Sequence, residues 1–275
     1  MRYRFRHLAA GTLGATYLLM LLGLYTAGTA GGLSCGAQWP TCGGGPLGLF
    51  PPNVESFIEW SHRLVAMLTG FAILGTAVAA WRRPDRGTRL ATTLAVLLLP
   101  LQIGIGALTV TFNGLLPGGF SAPVQTAHFV VALSILSLLT WATLRAYDAD
   151  DALPATTERY AALAGLALAP LVVLFGRGIL FRFSGEVLAL SYAVGLAAFG
   201  ALFVVAVRST GRLRQVAVTT LAVLTVHMLL GRDLLLFTGW VPTAYLAVTA
   251  LVGVGLGVVA WVATGGDAAL PGAPL

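Results

Sequence analysis

Eight long apolar stretches, parted by short polar or glycine- and proline-rich breaks, set the pattern of this chain. They fall at about 8–30, 57–81, 88–110, 122–146, 158–181, 186–207, 214–236 and 241–263. Each is long enough to cross a bilayer, which takes about 20 apolar residues in a helix. A segment in lipid must satisfy its backbone internally, so each stretch predicts an α-helix. The fold class expected is therefore an all-α integral membrane protein with eight transmembrane helices. The breaks carry turn chemistry: Arg83-Pro84-Asp85-Arg86-Gly87, Asn113-Gly114, Pro117-Gly118-Gly119 and Ser209-Thr210-Gly211. The first stretch is too long for a signal-peptide core and has no small-residue cleavage site, so it reads as the first span.

The pattern also repeats. Residues 101–114, LQIGIGALTVTFNG, line up with 226–239, VHMLLGRDLLLFTG, pairing Gly106 with Gly231, Phe112 with Phe237 and Gly114 with Gly239. A shift of about 125 residues lays spans 5–8 over spans 1–4. This predicts two four-helix bundles related by a pseudo-twofold axis along the membrane normal, over 1–150 and 151–275. In this alignment His227 meets Gln102, His62 meets an apolar residue near Val187–Ala189, and His128 meets about Tyr245 after a deletion in the preceding loop. The second half keeps the scaffold and lacks the paired histidines.

Composition agrees with the bilayer: 57% of residues are hydrophobic and 9% charged, against about 25% charged in soluble domains. The net charge of +6 comes from arginine alone, as the chain has no lysine. Arg2, Arg4, Arg6, Arg82, Arg83, Arg86, Arg89, Arg145, Arg159, Arg208, Arg212 and Arg214 fall on one side of the predicted membrane, whereas the loops at 31–56 and 111–121 carry no basic residue. This predicts a multi-pass protein of the cell membrane with both termini cytoplasmic and the 31–56 loop extracytoplasmic. The arginine excess is a topology signal in contact with lipid, and no nucleic-acid partner is implied.

Two ionisable residues inside spans stand out. His62 and His128 each lie about six residues past the start of their stretch, roughly 9 Å deep at 1.5 Å per residue. Such side chains are costly in lipid and mark functional sites. Two imidazoles at one level can clamp a heme iron axially; the plain alternative is a pair of histidines hydrogen-bonded within the bundle. A partner at equal depth, the adjacent Arg63 and a carboxylate three residues back, Glu59, favour heme. Arg63 suits a heme propionate or the pocket wall. Glu59 is either the partner of Arg63 at i,i+4 or an acid–base group.

Cys35 and Cys42 are the two cysteines. Their spacing on the oxidising side permits a disulfide, read either as a staple for a glycine-rich loop or as a redox-active pair. No CxxCH motif indicates covalent heme. His227 reads as a packing or polar-network residue and His7 as a solvated one. Arg177, Arg182 and Arg232, with Glu186 and Asp233, either hold propionates or pair with one another. Gly43-Gly44-Gly45 lacks the context of a phosphate cradle, and no aspartate-rich DxxxD pair supports a prenyltransferase diphosphate site.

The stretch Gly32-Leu33-Ser34-Cys35-Gly36-Ala37-Gln38-Trp39-Pro40-Thr41-Cys42 resembles the outer-loop cysteine motif of the heme A synthase family, and Glu59-Trp60-Ser61-His62-Arg63 is similar to its ExxHR motif. Gln102-Ile103-Gly104-Ile105-Gly106-Ala107 and His128 extend the likeness over about residues 20–130. The resemblance implies conversion of heme O to heme A for terminal oxidases, with His62 and His128 flanking the substrate heme, Glu59 required for turnover, and Cys35 and Cys42 forming a disulfide near the pocket. It implies heme O synthase and terminal oxidase assembly factors as partners, and an electron donor or acceptor whose identity the residues do not give. Many members carry a second, b-type heme held by histidines of spans 6 and 8. This chain has none there, leaving His227 and Tyr245 as the second-half candidates and the second heme in doubt. Two rivals stand beside this reading: a b-type electron-transfer or heme-carrier protein, and a quinone-linked thiol oxidoreductase using Cys35 and Cys42.

Overall fold

A computed structural model describes residues 2–29, 31–36, 38, 41–43, 49–51, 53–111, 122–232 and 237–266. The turns expected at Asn113-Gly114 and Pro117-Gly119, together with Asp233, lie outside the described residues. Among the described residues there are eight α-helices: α1 (Arg2–Gly28), α2 (Val54–Ala80), α3 (Arg86–Thr111), α4 (Ala122–Asp148), α5 (Thr157–Leu174), α6 (Gly185–Arg208), α7 (Gly211–Gly231) and α8 (Val241–Ala263). All eight are long and apolar enough to cross a membrane. The fold class is all-α, with no strand among the described residues.

Helix ends follow local chemistry. Asn53, in extended backbone, caps α2 by accepting the Ser56 N–H at 2.8 Å. That start lies three residues before the apolar stretch, because the cap rather than hydropathy fixes it. The α5 helix stops at Leu174, short of the expected 181. There the chain turns through Gly176 and through Gly178, whose φ of +71° suits glycine. Pro100 and Pro170 sit inside α3 and α5, tolerated in a membrane bundle where neighbouring groups take up the freed carbonyl.

The chain divides into two units, residues 1–152 with 184–189, and 153–183 with 190–275. In the first, α1 packs on α2, α2 on α3, α3 on α4 and α4 on α1. This closes a ring in which α2 and α4 take diagonal corners. Small residues permit the close approach: Ala80, Ala95 and Ala146 are fully buried, and Thr12 meets Thr76 at 2.8 Å between α1 and α2. Leu97 and Ile103 of α3 remain exposed, as a lipid-facing surface requires. In the second unit α8 packs on α5 and α7. There Gly165 of α5 approaches Ala201 of α6, and the Tyr192 hydroxyl of α6 donates to the Met228 carbonyl of α7.

The arginine-rich end of the first unit is tied by charge. Asp150 lies between Arg6 at 4.0 Å and Arg83 at 3.7 Å. Asp85, before α3, takes a two-point contact from Arg145 of α4, at 2.9 and 2.7 Å. The Arg145 hydrogen bonds hold the Asp85 carboxyl well below the usual carboxylate range. A depressed carboxyl stabilises the fold above its unfolded value, near 3.9, and that stability is lost as pH falls through the lower folded value. Asp85→Asn is therefore expected to lower thermal stability in detergent by up to about 1 kcal/mol at pH 7, given the pair's exposure. Thermal scans of both proteins should show the gap constant from pH 6 to 8 and shrinking on acidification.

Candidate functional site

The site is built at the end of the first unit opposite this arginine cluster. His62 lies eight residues into α2 and His128 six into α4, about 12 and 9 Å along their axes. Neighbouring glycines fix their level. A Cβ on Gly23 would stand 2.9 Å from His62 Cε1, and one on Gly106 would stand 3.1 Å from His128 Cε1. Gly23 is five residues from the end of α1, and Gly106 five from the end of α3. The imidazoles on diagonal helices are thus each seated in a glycine notch at matching positions of the two helices between them.

The donor chemistry suits a heme iron. His62 Nδ1 is buried and without a hydrogen-bond partner among the described residues. Leaving such a group unmade costs about 1–3 kcal/mol, a cost that is retained where a ring must stay available to a ligand. His128 Nε2 faces Gln102 Nε2 of α3 at 3.2 Å. Among the described residues no group of three or more histidine, cysteine or acidic side chains is arranged for a bare metal ion. The imidazoles of His62 and His128 are of the donor type that ligates heme iron.

Above His62, the loop after α1 is fastened to α2 through Glu59. This carboxylate is only 2% exposed. Its Oε2 accepts the Cys35 backbone N–H at 2.7 Å and lies 3.1 Å from the Ser34 hydroxyl. Its Oε1 accepts from Arg63. Arg63 in turn donates to the carbonyls of Gly36, at 2.8 Å, and Gln38. Arg63 thus bridges the loop carbonyls to Glu59 of α2 and forms the wall between loop and helix. The Cys35–Cys42 disulfide is present. Both cysteines are buried with Trp60 and Leu64, and the Trp60 ring packs on Phe50 and Phe57. Ala37, Trp39 and Pro40 of this motif lie outside the described residues.

In the second unit the aligned positions are filled differently. His227 is buried, with neither ring nitrogen hydrogen-bonded among the described residues, and stacks on Tyr245 at 4.7 Å. The Tyr245 hydroxyl accepts the Arg177 backbone N–H at 3.0 Å. The Arg177 guanidinium lies over Phe183 and Phe237, each at 4.6 Å, and donates to the Arg232 carbonyl. Arg177 and Arg232 are thus joined through backbone and aromatic contacts.

The sequence reading placed Glu59, His62, Arg63, Cys35, Cys42 and His128 in one region, and all six fall in the first unit. It passed over Gly23, Ser34 and the contact of Gln102 with His128. The Gln102 signal was present: it stands four residues before Gly106, on the same helix face.

Comparison with known proteins matches a central stretch and about half of the chain. Residues 47–180 match the family described as COX15-CtaA, cytochrome oxidase assembly protein. A heme A synthase of Bacillus licheniformis is 32% identical over 140 residues, covering 50% of this chain and 43% of that protein. A heme A synthase of Bacillus pumilus is 34% identical over 149 residues, covering 52% and 46%. A protoheme IX farnesyltransferase of Halobacterium salinarum is 36% identical over 144 residues, covering 52% of this chain but 29% of that protein. The chain spans less than half the length of these relatives. Residues 47–180, which include Glu59, His62 and His128, are thus similar to the COX15-CtaA family of cytochrome oxidase assembly proteins, and about half of the chain is similar to proteins named heme A synthase.

Proposed function

We propose that this chain is a heme A synthase: it holds heme O in the first unit and oxidises one ring methyl to a formyl group, through a hydroxylated stage and loss of water. The observation that carries the reading is the pair of imidazoles on diagonal helices, each in a glycine notch, beside a buried carboxylate on the same face of α2. The heme is the substrate. His62 and His128 hold and orient it, which fixes one edge of the ring against the protein. Glu59 lies one turn from His62 and moves a proton at the ring edge, while its bonds to Cys35 and Ser34 fasten the loop to α2. With Arg63 committed to the loop, the Glu59–Arg63 pair serves as both wall and proton site.

The membrane orientation follows from the arginine distribution: both termini in the cytoplasm, the Cys35–Cys42 loop outside, in the cell membrane. The partner supplying substrate is an enzyme that farnesylates heme, a heme O synthase. Its support here is that a segment similar to this chain occurs within a protein named protoheme IX farnesyltransferase. Terminal oxidase assembly factors receive the product, and a redox partner takes up the electrons released. The second unit serves as scaffold: the phenol of Tyr245 is tied to Arg177 and its ring stacks directly on His227, so a second heme b is not assigned there.

Expression in cells that make heme O but no heme A, followed by pigment extraction and separation, tests this reading. Heme A or its hydroxylated precursor is expected in the extract. Unchanged heme O, with heme still bound to the protein, would instead favour the electron-transfer or carrier reading. A thiol oxidoreductase would lose activity on Cys35→Ser and be indifferent to His62→Ala.

A further inference from the structure

We infer that the hairpin joining α2 to α3 binds an anionic diacyl phospholipid, its headgroup held by Arg82, Arg86 and Arg89 and its tails laid along two exposed apolar faces. The inference does not depend on the heme reading. It starts from charge. At the arginine-rich end of the first unit, Arg6 and Arg83 face Asp150, and Arg145 takes Asp85. Arg82, Arg86 and Arg89 have no carboxylate within ion-pair distance among the described residues. Arg82 and Arg86 are exposed, and Arg89 donates to the Pro84 carbonyl at 3.4 Å. Arginines left uncompensated beside a membrane attract anionic headgroups.

The surface beyond them suits lipid tails. On α3, Leu90, Leu94 and Leu97 follow Arg86 at steps of four, four and three residues, which is one helix face, and all three are exposed. Leu97 lies about 16 Å along the axis from Arg86, close to the roughly 15 Å of one hydrocarbon leaflet. On α2, Phe71, Leu74 and Val78 lead up to Arg82 in the same way, and they too are exposed. Trp81 joins the two faces. Its indole N–H donates to the Thr93 hydroxyl of α3 at 3.1 Å, and the Arg89 guanidinium lies 5.8 Å from its ring, which is 62% exposed. An indole fixed between apolar faces and arginines sits at the level of lipid headgroups. The α3 helix is also the least enclosed of the eight described spans. Charge favours a lipid over a second copy of the chain, because a symmetric contact on this face would bring arginine to arginine.

Native mass spectrometry of the delipidated full-length protein, titrated with dioleoyl phosphatidylglycerol and with dioleoyl phosphatidylcholine, tests this. The tails are identical, so the difference reads the headgroup. The first phosphatidylglycerol is expected to bind about tenfold or more tightly than phosphatidylcholine, since one arginine near a membrane surface is worth about fivefold. Arg82→Gln/Arg86→Gln/Arg89→Gln should abolish that preference. Arg159→Gln/Arg212→Gln/Arg214→Gln, which removes the same charge from the second unit, should keep it. No preference in the parent would overturn the site. So would equal loss in both triple variants, which would leave only a general attraction to an arginine-rich end. A second reading needs no arginine variant: stoichiometric phosphatidylglycerol with brominated chains should quench a larger share of tryptophan emission in the parent than in Trp81→Phe. Equal quenching would contradict the assignment. Leu97→Cys tests for a second copy, as the native cysteines are already paired. Oxidised in phosphatidylglycerol vesicles, it should stay monomeric, and a disulfide-linked dimer in full yield would put another chain where the lipid is proposed.

Discussion

Replacing Glu59 with alanine is expected to abolish product formation and to loosen the outer loop at once, whereas Glu59→Gln abolishes product and costs the fold less, since it loses the Arg63 pair but keeps the Cys35 and Ser34 bonds. The alanine variant leaves the Cys35 N–H, the Ser34 hydroxyl and the Arg63 guanidinium without their common acceptor. Removing one partner of a buried ion pair costs about 3 kcal/mol, and Glu59 is almost fully enclosed. Glutamine keeps the shape and an acceptor oxygen for Cys35 and Ser34, but its amide nitrogen then faces the Arg63 guanidinium donor to donor, and it cannot exchange a proton as a carboxylate does. Loss of an acid–base group lowers turnover by about a hundredfold or more. Pigment analysis reads the first effect and thermal unfolding in detergent the second. Full conversion by Glu59→Gln would reduce Glu59 to a loop anchor and return weight to the carrier reading.

The second large effect is expected at the histidines. His62→Ala and His128→Ala each remove one side of the proposed grip, and each should lower heme A formation by at least about a hundredfold, because a misplaced ring presents the wrong edge to Glu59. Neither should unfold the bundle, since each imidazole sits against a glycine notch rather than in the alanine- and threonine-lined seams around Ala80, Ala95 and Thr76. His227→Ala serves as the control. It removes a buried ring stacked on Tyr245, so stability should suffer while product formation by the folded protein continues.

Much of the fold was legible because lipid leaves the backbone few choices. Eight apolar stretches became eight helices, and arginine at one set of ends marked the side where Asp85 and Asp150 now tie the first unit together. Boundaries were less legible where capping or glycine, rather than hydropathy, decides them, as at Asn53 and after Leu174. At the site, residue types and spacing pointed to Glu59, His62 and His128, but the partners did not follow from spacing. Arg63 was free in sequence terms to meet a propionate; in the fold its donors go to Gly36 and Gln38, because the loop's backward path over α2 is invisible in a linear pattern. Gly23 carries no signal in the linear sequence, since its role depends on where the His62 ring comes to rest. Gly106 and Gly231, paired in the sequence alignment, each stand against a ring, His128 in one unit and Tyr245 in the other.

The central claim is that one heme iron is bound by the imidazoles of α2 and α4 together. Heme titration of the purified full-length chain, followed by optical and electron paramagnetic resonance spectra, tests it directly. The parent protein should give a six-coordinate, low-spin bis-histidine species, and either single alanine variant should convert it to a five-coordinate, high-spin one. An unchanged low-spin spectrum in either variant would contradict the account.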